Sequence, residues 1–435
     1  MKLIIPWSAQ LVQVPNIVKG VGATLWDSAG KPYFDMCSQL MAVNLGHGDI
    51  RIAEAIATQV GVLGYVNPAY STPIRETLAK KLAEIAPPGL DRVLLTTSGA
   101  DAIENAIKLA RLATGRHKIV TKYRSYHGST AAAMSASGDP RRLSQAEFET
   151  PGIVRVEDPY CYRCPWGQTF GQCEYQCVSH LERVIAFEGP QTIAAIILEG
   201  ESGTSGCIKY PPDYWPRVRA IADRYGIVLI SDEVMSGFRC GDWFAVSRHG
   251  VVPDMIVMAK GLTSGYVPMG GILAKESLIS PQFDSKRVPI GLTYAAHPVG
   301  CAAGVVAISL YQDGDLIHRP LAWEPWLTQL LNKRLAPISC VGDIRLTGFL
   351  GVIELVIPGT QRPLVEWNSA DESWTNRVSS LLWDSGLVPN VRWNYVFFAP
   401  PLIATQDELA RAIDQLGSVL EVVSKEINDS ISEKS

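Results

Sequence analysis

Three charged residues, Glu199, Asp232 and Lys260, each stand at the end of a short apolar run. The runs are Ile193 to Leu198, Ile227 to Ile230 with Ser231 after it, and Met255 to Ala259. An amine in a partly dry site loses its proton more readily than in water and can then attack a carbonyl carbon. A carboxylate that follows a buried strand costs several kcal/mol unless a partner meets it. A protonated ring nitrogen is such a partner. An isolated lysine at a strand end is ordinarily a solvated charge or half of an ion pair, so only the convergence of all three residues points to chemistry.

Convergence follows from the elements that carry them. Short, continuously apolar, β-branched runs read as strands buried on both faces, the pattern of a parallel sheet. Ligands of such sheets sit at the carboxyl ends of the strands. Between Pro212 and Gly226, the spacing of Trp215, Val218, Ile221 and Ala222 predicts an amphipathic helix closed by glycine, which supplies the crossover between two of the strands. Upstream, Arg92 to Thr96 predicts a further strand, followed by Thr97 to Asp101 and a helix with Ile103, Ala106, Ile107 and Ala110 on one face. Ser98 with Asp101 is similar to a capping box. The small residues Gly99 and Ala100 leave backbone N–H groups open to a phosphate, which the helix dipole favours, although most capped helices bind nothing. Lys118 to Thr121 predicts another strand. It leads to Tyr126, His127 and Gly128, where an aromatic side chain could stack on a flat ring or simply pack a turn.

Around this centre, Gly22 to Trp26 and Lys31 to Asp35 read as a hairpin turning at Asp27 to Gly30. A glycine-punctuated loop from Ser38 to Gly48 suits a pocket wall, and helices are expected over 50–63 and 74–85. After Thr293, a small-residue helix through Cys301 to Ile308 carries the chain out of the sheet. The remainder reads as α+β, with strands over 342–346, 349–355 and 395–398 and a last helix capped by Thr405 with Glu408. The polar tail after Lys425 is expected to fray.

Composition limits the class of protein. With 435 residues, 47% apolar and 19% charged, the chain has material for one large and one smaller domain. The expected division is an N-terminal segment of the small domain over 1–50, a large domain over 51–310 and a C-terminal small domain over 311–435. A net charge of −4 gives no long-range attraction to nucleic acid or an anionic membrane. No apolar run approaches the roughly 18 residues of a membrane span, and the expected location is the cytoplasm. Of the nine cysteines, five are scattered singly, as expected of reduced, buried thiols.

A nucleophilic lysine, a carboxylate for a ring nitrogen, an aromatic to stack and a helix terminus for a phosphate are together what pyridoxal phosphate requires. On Ser98 to Arg111, Tyr126 to Gly128, Leu229 to Phe238, Pro253 to Gly261 and Gly291 to Thr293, the chain resembles the class III (ω-amino acid) pyridoxal-phosphate aminotransferases. It is most similar to their taurine and ω-amine–pyruvate branch. The likeness implies an α/β fold of the aspartate-aminotransferase type, with a mainly parallel sheet in the large domain and a smaller α+β domain. It implies that Lys260 forms the Schiff base and shuttles the proton while Asp232 holds the ring nitrogen protonated. Ser98, Gly99 and Ala100 are then assigned to the phosphate. Tyr126 and Val234 take the two ring faces, with His127 also at the cofactor and Glu199 beside the substrate. Thr293 is assigned to the phosphate of the neighbouring subunit, which implies a homodimer with shared sites.

The implied reaction is transfer of an amino group from an ω-amino acid or amine to pyruvate or another 2-oxo acid. The alternative is an aminomutase or decarboxylase on the same fold, since Asp232 to Arg239 also resembles the glutamate-semialdehyde aminomutase branch. Two departures bear on substrate. Where relatives usually carry Gly-Phe-Gly-Arg-Thr-Gly, residues 237–241 read Gly-Phe-Arg-Cys-Gly, and Met41 stands where many amine transaminases place a pocket tryptophan. Arg392 is the expected carboxylate-binding arginine, with Arg239 next. Cys161, Cys164, Cys173 and Cys177 have a spacing that could hold zinc. The preferred reading is a surface insertion without metal.

Overall fold

The computed structural model describes residue 4, residues 14–284 and residues 288–433. Its central sheet has seven strands, β4 (Arg92–Thr96), β5 (Lys118–Lys122), β6 (Ile153–Val156), β7 (Ile193–Glu199), β8 (Val228–Asp232), β9 (Met255–Met258) and β10 (Gly270–Ala274), in the order β4-β10-β9-β8-β7-β5-β6. From β6 to β9 every pairing is parallel, and β10 alone runs antiparallel to both its neighbours. Every residue of β7 to β10 is buried, which is why three of these strands carry unbroken apolar runs rather than alternation.

Strand β10 is the exception in sequence, because it opens on two glycines, which weaken a strand. A Cβ on Gly270 would sit 2.4 Å from the Ser98 carbonyl oxygen. Glycine there lets the strand pass close under the start of the next helix.

That helix, Gly99–Thr114, buries Ala102, Ile103, Ala106, Ile107 and Ala110 against one face of the sheet. The crossover helix Tyr214–Tyr225 buries Trp215, Val218, Ile221 and Ala222 among the residues of the other core cluster. It ends at Gly226, whose φ of +59° suits glycine.

The N-terminal hairpins are β1 (Ile17–Val21), β2 (Thr24–Asp27) and β3 (Pro32–Phe34). A second antiparallel sheet has β11 (Val341–Thr347), β12 (Leu350–Leu355), β13 (Val391–Arg392) and β14 (Tyr395–Phe398), in the order β11-β12-β14-β13. Backbone bonds join the two ends of the chain: Phe34 N–H to the Gly386 carbonyl at 2.8 Å, Val388 N–H to Phe34 at 2.9 Å and Ala399 N–H to Met36 at 2.7 Å. Helix Pro298–Asp313 runs past residue 310 without a break.

The capping box at Thr405 and Glu408 is present in full. The expected fraying after Lys425 is not seen, since the last helix runs Gln406–Ser432. Val419, Leu420, Val423 and Ile427 are all buried, so the apolar stripe continues past Lys425 and holds the helix to its end. Among the described residues, no helix is long and apolar enough to cross a membrane.

Candidate active site

At the carboxyl edge of the central sheet, Lys122 ends β5, Glu199 ends β7 and Asp232 ends β8. Glu199 and Asp232 are register partners in the β7–β8 ladder, so parallel pairing itself sets the two carboxylates side by side. Lys260 follows two residues after β9, with a φ of +39°. Glu199, Asp232 and Lys260 open into one cavity of about 1370 Å³, whose wall also includes Met41, Gly99, Ala100, Tyr126, His127, Val234 and Arg392.

Burial pushes the Lys260 amine down to about 8, against the pull of Asp232, while Arg239 and Arg141 push it the same way as burial. The amine is therefore part unprotonated near neutral pH. Asp232 is fixed by two bonds: Oδ2 lies 2.7 Å from His127 Nδ1, and Oδ1 accepts the Val234 N–H at 3.0 Å. His127 is itself held, its N–H donating to Ser137 Oγ at 2.8 Å and its Nε2 lying 3.3 Å from Thr121 Oγ1. Glu199 is pushed up to about 7, mainly by burial, with Lys122 and His127 opposing. Its Oε1 accepts the Gly203 N–H at 3.2 Å.

The opposite wall is built from small residues. Ser98 Oγ accepts the Asp101 N–H at 3.2 Å, so this side chain caps the helix. The Asp101 carboxylate takes the Thr97 N–H rather than that of Ser98, which makes the box one-sided. The first intrahelical bond runs from Ala102 to Ser98, leaving Gly99 and Ala100 with N–H groups that have no intrahelical partner. A Cβ on Gly99 would meet Val234 at 2.9 Å, and one on Gly128, where φ is +141°, would meet Ala100 at 2.6 Å. Tyr126 bonds Ser129 through its hydroxyl at 2.8 Å, and the Arg141 guanidinium lies 3.7 Å from its ring centroid.

These residues fit pyridoxal phosphate. Lys260 could hold its aldehyde carbon, Asp232 its ring nitrogen, and Gly99 with Ala100 its phosphate, at a cradle too tight for larger side chains.

Not every expected residue lies at the cavity. Thr293, expected at the phosphate of the neighbouring subunit and not at this chain's own cavity, is exposed and outside the wall, its carbonyl accepting the Tyr65 hydroxyl at 2.8 Å. Arg239 is fully buried, donating to the carbonyls of Phe349 at 2.9 Å and Ala399 at 3.1 Å and to Asn44. It ties the altered 237–241 loop to the C-terminal sheet and is not a second pocket arginine. Glu233 is spent on the N–H groups of Ala245 and Val246. Cys161, Cys164, Cys173 and Cys177 are free thiols, and among the described residues no group of three or more His, Cys, Asp or Glu is placed to hold a metal.

Three residues at or beside the site were not singled out in sequence. Lys122 lies one position beyond the expected strand end, and Arg141 sits in the short 3-10 helix Pro140–Phe148, capped by Asp139, a stretch for which the sequence offered no apolar periodicity.

A family model described as aminotransferase class-III matches residues 7–420. A probable aminotransferase of Mycobacterium tuberculosis is 38% identical, over 94% of this chain and 90% of its own. A hypotaurine/taurine–pyruvate aminotransferase of Paracoccus denitrificans is 31% identical, over 93% and 90%. Among solved structures, a taurine:2-oxoglutarate aminotransferase from Bifidobacterium kashiwanohense, in complex with pyridoxal phosphate and glutamate, superposes with a TM-score of 0.93 at 37% identity, covering 98% of this chain and 96% of that one.

Proposed function

Because the chain belongs to the class III aminotransferases, which use pyridoxal phosphate, we propose that it transfers an amino group from an ω-amino acid or amine to pyruvate or another 2-oxo acid. The two substrates occupy one cavity in turn, in ping-pong order. The observation that carries this reading is a lysine amine brought down to about 8 in the same cavity as a carboxylate fixed by a buried histidine. The names of the taurine relatives support an acid-bearing amine as donor.

When bound, pyridoxal phosphate supplies an electron sink that lets a proton leave the carbon bearing the amino group. Lys260 Nζ, part unprotonated, takes that proton and returns it. Asp232 keeps a proton at the ring nitrogen, and His127 keeps Asp232 from turning away. Gly99 and Ala100 bind the phosphate through backbone N–H groups at the helix start. Arg141 covers one face of Tyr126, which leaves the other for stacking. Arg392 receives the acid group of the 2-oxo acid, Met41 lines the substrate space, and Thr293 serves the phosphate site of a partner subunit in a homodimer.

A half-reaction screen tests the reading. Each of a panel of amines is added to the holoenzyme, and the cofactor absorbance and released carbonyl product are followed. Release of a free aldehyde or oxo acid supports transamination, whereas carbon dioxide or an internally rearranged product would establish the decarboxylase or aminomutase reading.

A further inference from the structure

Lys122 is fully buried, and none of the roles above uses it. Its ammonium donates to the Tyr210 hydroxyl at 2.8 Å and lies 3.5 Å from Asp158 Oδ1 and 3.8 Å from Glu199 Oε2. The Tyr210 hydroxyl donates in turn to the Glu199 carbonyl at 2.9 Å. Neither Asp158 Oδ1 nor Glu199 Oε2 has a hydrogen-bond partner among the described residues. Two buried carboxylates thus share one ammonium, with the Arg124 charge also acting on Asp158, so an ionised Glu199 is costly to keep in this dry site.

Of the two, Glu199 lines the cavity and Asp158 does not. The other Asp158 oxygen is taken by the Arg124 N–H at 2.7 Å. The remaining charged or titratable groups that influence Glu199 are His127 from the segment after β5, Asp232 from β8, Lys260 after β9, Cys207 and Tyr210.

An alkyl amine enters as an ammonium, with a pKa of about 10, and its nitrogen cannot attack until a proton is gone. We propose that Glu199 is the base that takes this proton, and that Lys122 is a positioning residue that keeps Glu199 ionised until the amine arrives. One N–H bond of the ammonium breaks, an O–H bond forms on the Glu199 carboxylate, which lines the cavity, and the nitrogen keeps the electron pair. Lys122 is then left to Asp158, so the cost of the buried Glu199 charge is relieved in the same step. The elevation of Glu199 to about 7, with Lys122 as the largest opposing influence, puts the exchange within reach near neutral pH. The inference rests on the amino-transfer reading.

Two measurements on the holoenzyme test it. The first follows the infrared C=O band of a protonated carboxyl against pH. The second follows the amine half-reaction against pH with taurine, β-alanine or putrescine. In the wild type the band disappears and the rate rises about one common midpoint. Glu199→Gln, close to isosteric, removes both the band and the acidic limb and slows the half-reaction by about 100-fold or more. Lys122→Met moves both midpoints up by about one pH unit or more, and Lys122→Arg restores them. Should Lys122→Met not fold, Lys122→Met/Asp158→Asn, which removes the cation with its other counter-ion, is expected to move the midpoint in the same direction.

An unchanged acidic limb in Glu199→Gln would overturn the base assignment, and an unmoved midpoint in the lysine variants would reduce Lys122 to a packing role. Absence of amino transfer in the wild type at every pH would instead count against the proposed function.

Discussion

The imidazole Nδ1 of His127 lies 2.7 Å from Oδ2 of Asp232, with both residues buried. The carboxylate therefore has little rotational freedom, since Oδ1 is also bound by the Val234 N–H at 3.0 Å. Asp232→Asn keeps the shape and removes the charge that holds a ring nitrogen protonated, and is expected to cost several orders of magnitude in turnover. His127→Phe leaves the charge but frees its orientation, with an expected loss of about tenfold to 100-fold. Steady-state kinetics of both variants check the ranking. A loss below about tenfold for Asp232→Asn would mean that another group protonates the ring.

Lys260→Ala is expected to abolish amino transfer while the protein folds and keeps its cofactor through the Gly99, Ala100 and Asp232 contacts. Only the covalent link and the proton carrier are removed. Absorbance of the bound cofactor after gel filtration, measured beside turnover, separates lost chemistry from lost binding. Turnover near the wild-type rate would sink the assignment of Lys260.

The same lysine predicts a pH-dependent stability in the cofactor-free protein. Burial brings its amine down to about 8 in the folded chain, from an ordinary value of 10.5. Between those values the unfolded chain binds more protons, so stability rises with pH across that window. The cost of burying the charge is present in full below the lower value and gone above the upper one. Lys260→Met is accordingly expected to raise the melting temperature of the cofactor-free protein most below pH 8, with the advantage fading as pH approaches 10.5. Melting curves of both proteins from neutral to alkaline pH measure it, and a constant difference would contradict it.

Much of this site was legible because a parallel sheet converts sequence position into spatial position. Each of β7, β8 and β9 carries a short apolar run, so the charged residues at or just after their ends had to gather at one edge. What was not legible depends on which way a side chain turns. Arg239 and Arg392 look alike in sequence, yet one is locked onto backbone carbonyls in the core and the other lines the cavity. Lys122 does not stand out in sequence because nothing local announces that Asp158, from the neighbouring strand's exit, and Tyr210, from beyond β7, will enclose it. Strand β10 was hidden by Gly270 and Gly271, chosen for close approach and against strand propensity.

The cysteine loop is expected to hold no stoichiometric zinc. Burial pushes the Cys177 thiol up to about 12, and Cys161 is also raised, mainly by burial, with Cys173 and Cys164 adding to it. Zinc needs thiolates, and burial works against that form at Cys161 and Cys177. Elemental analysis of purified protein decides the point. Zinc at one per chain that resists mild chelation would show that the four sulfurs can close into a site.

Arg392 is the residue on which substrate choice is expected to depend. Its Nη2 donates to Asp139 Oδ1 at 2.9 Å, its Nε has no hydrogen-bond partner among the described residues, and its guanidinium lies 4.3 Å from the Trp393 ring centroid. Asp139 is held independently by Arg141, whose Nε and Nη2 reach its two oxygens at 2.9 and 3.2 Å. Arg392 can thus leave Asp139 by breaking one hydrogen bond, without stranding a buried carboxylate, and its planar fork can then pair with the acid group of a 2-oxo acid. Burial brings its pKa down to about 10, so it keeps its charge at neutral pH. Arg392→Ala is expected to raise the Michaelis constant for pyruvate at least tenfold, about 1.4 kcal/mol of lost binding, with a smaller effect on an amine that lacks an acid group. Kinetics of the two half-reactions distinguish these effects. An unchanged constant for pyruvate would pass the role to Arg141, which shares both the cavity wall and the Asp139 carboxylate, and not to the buried Arg239.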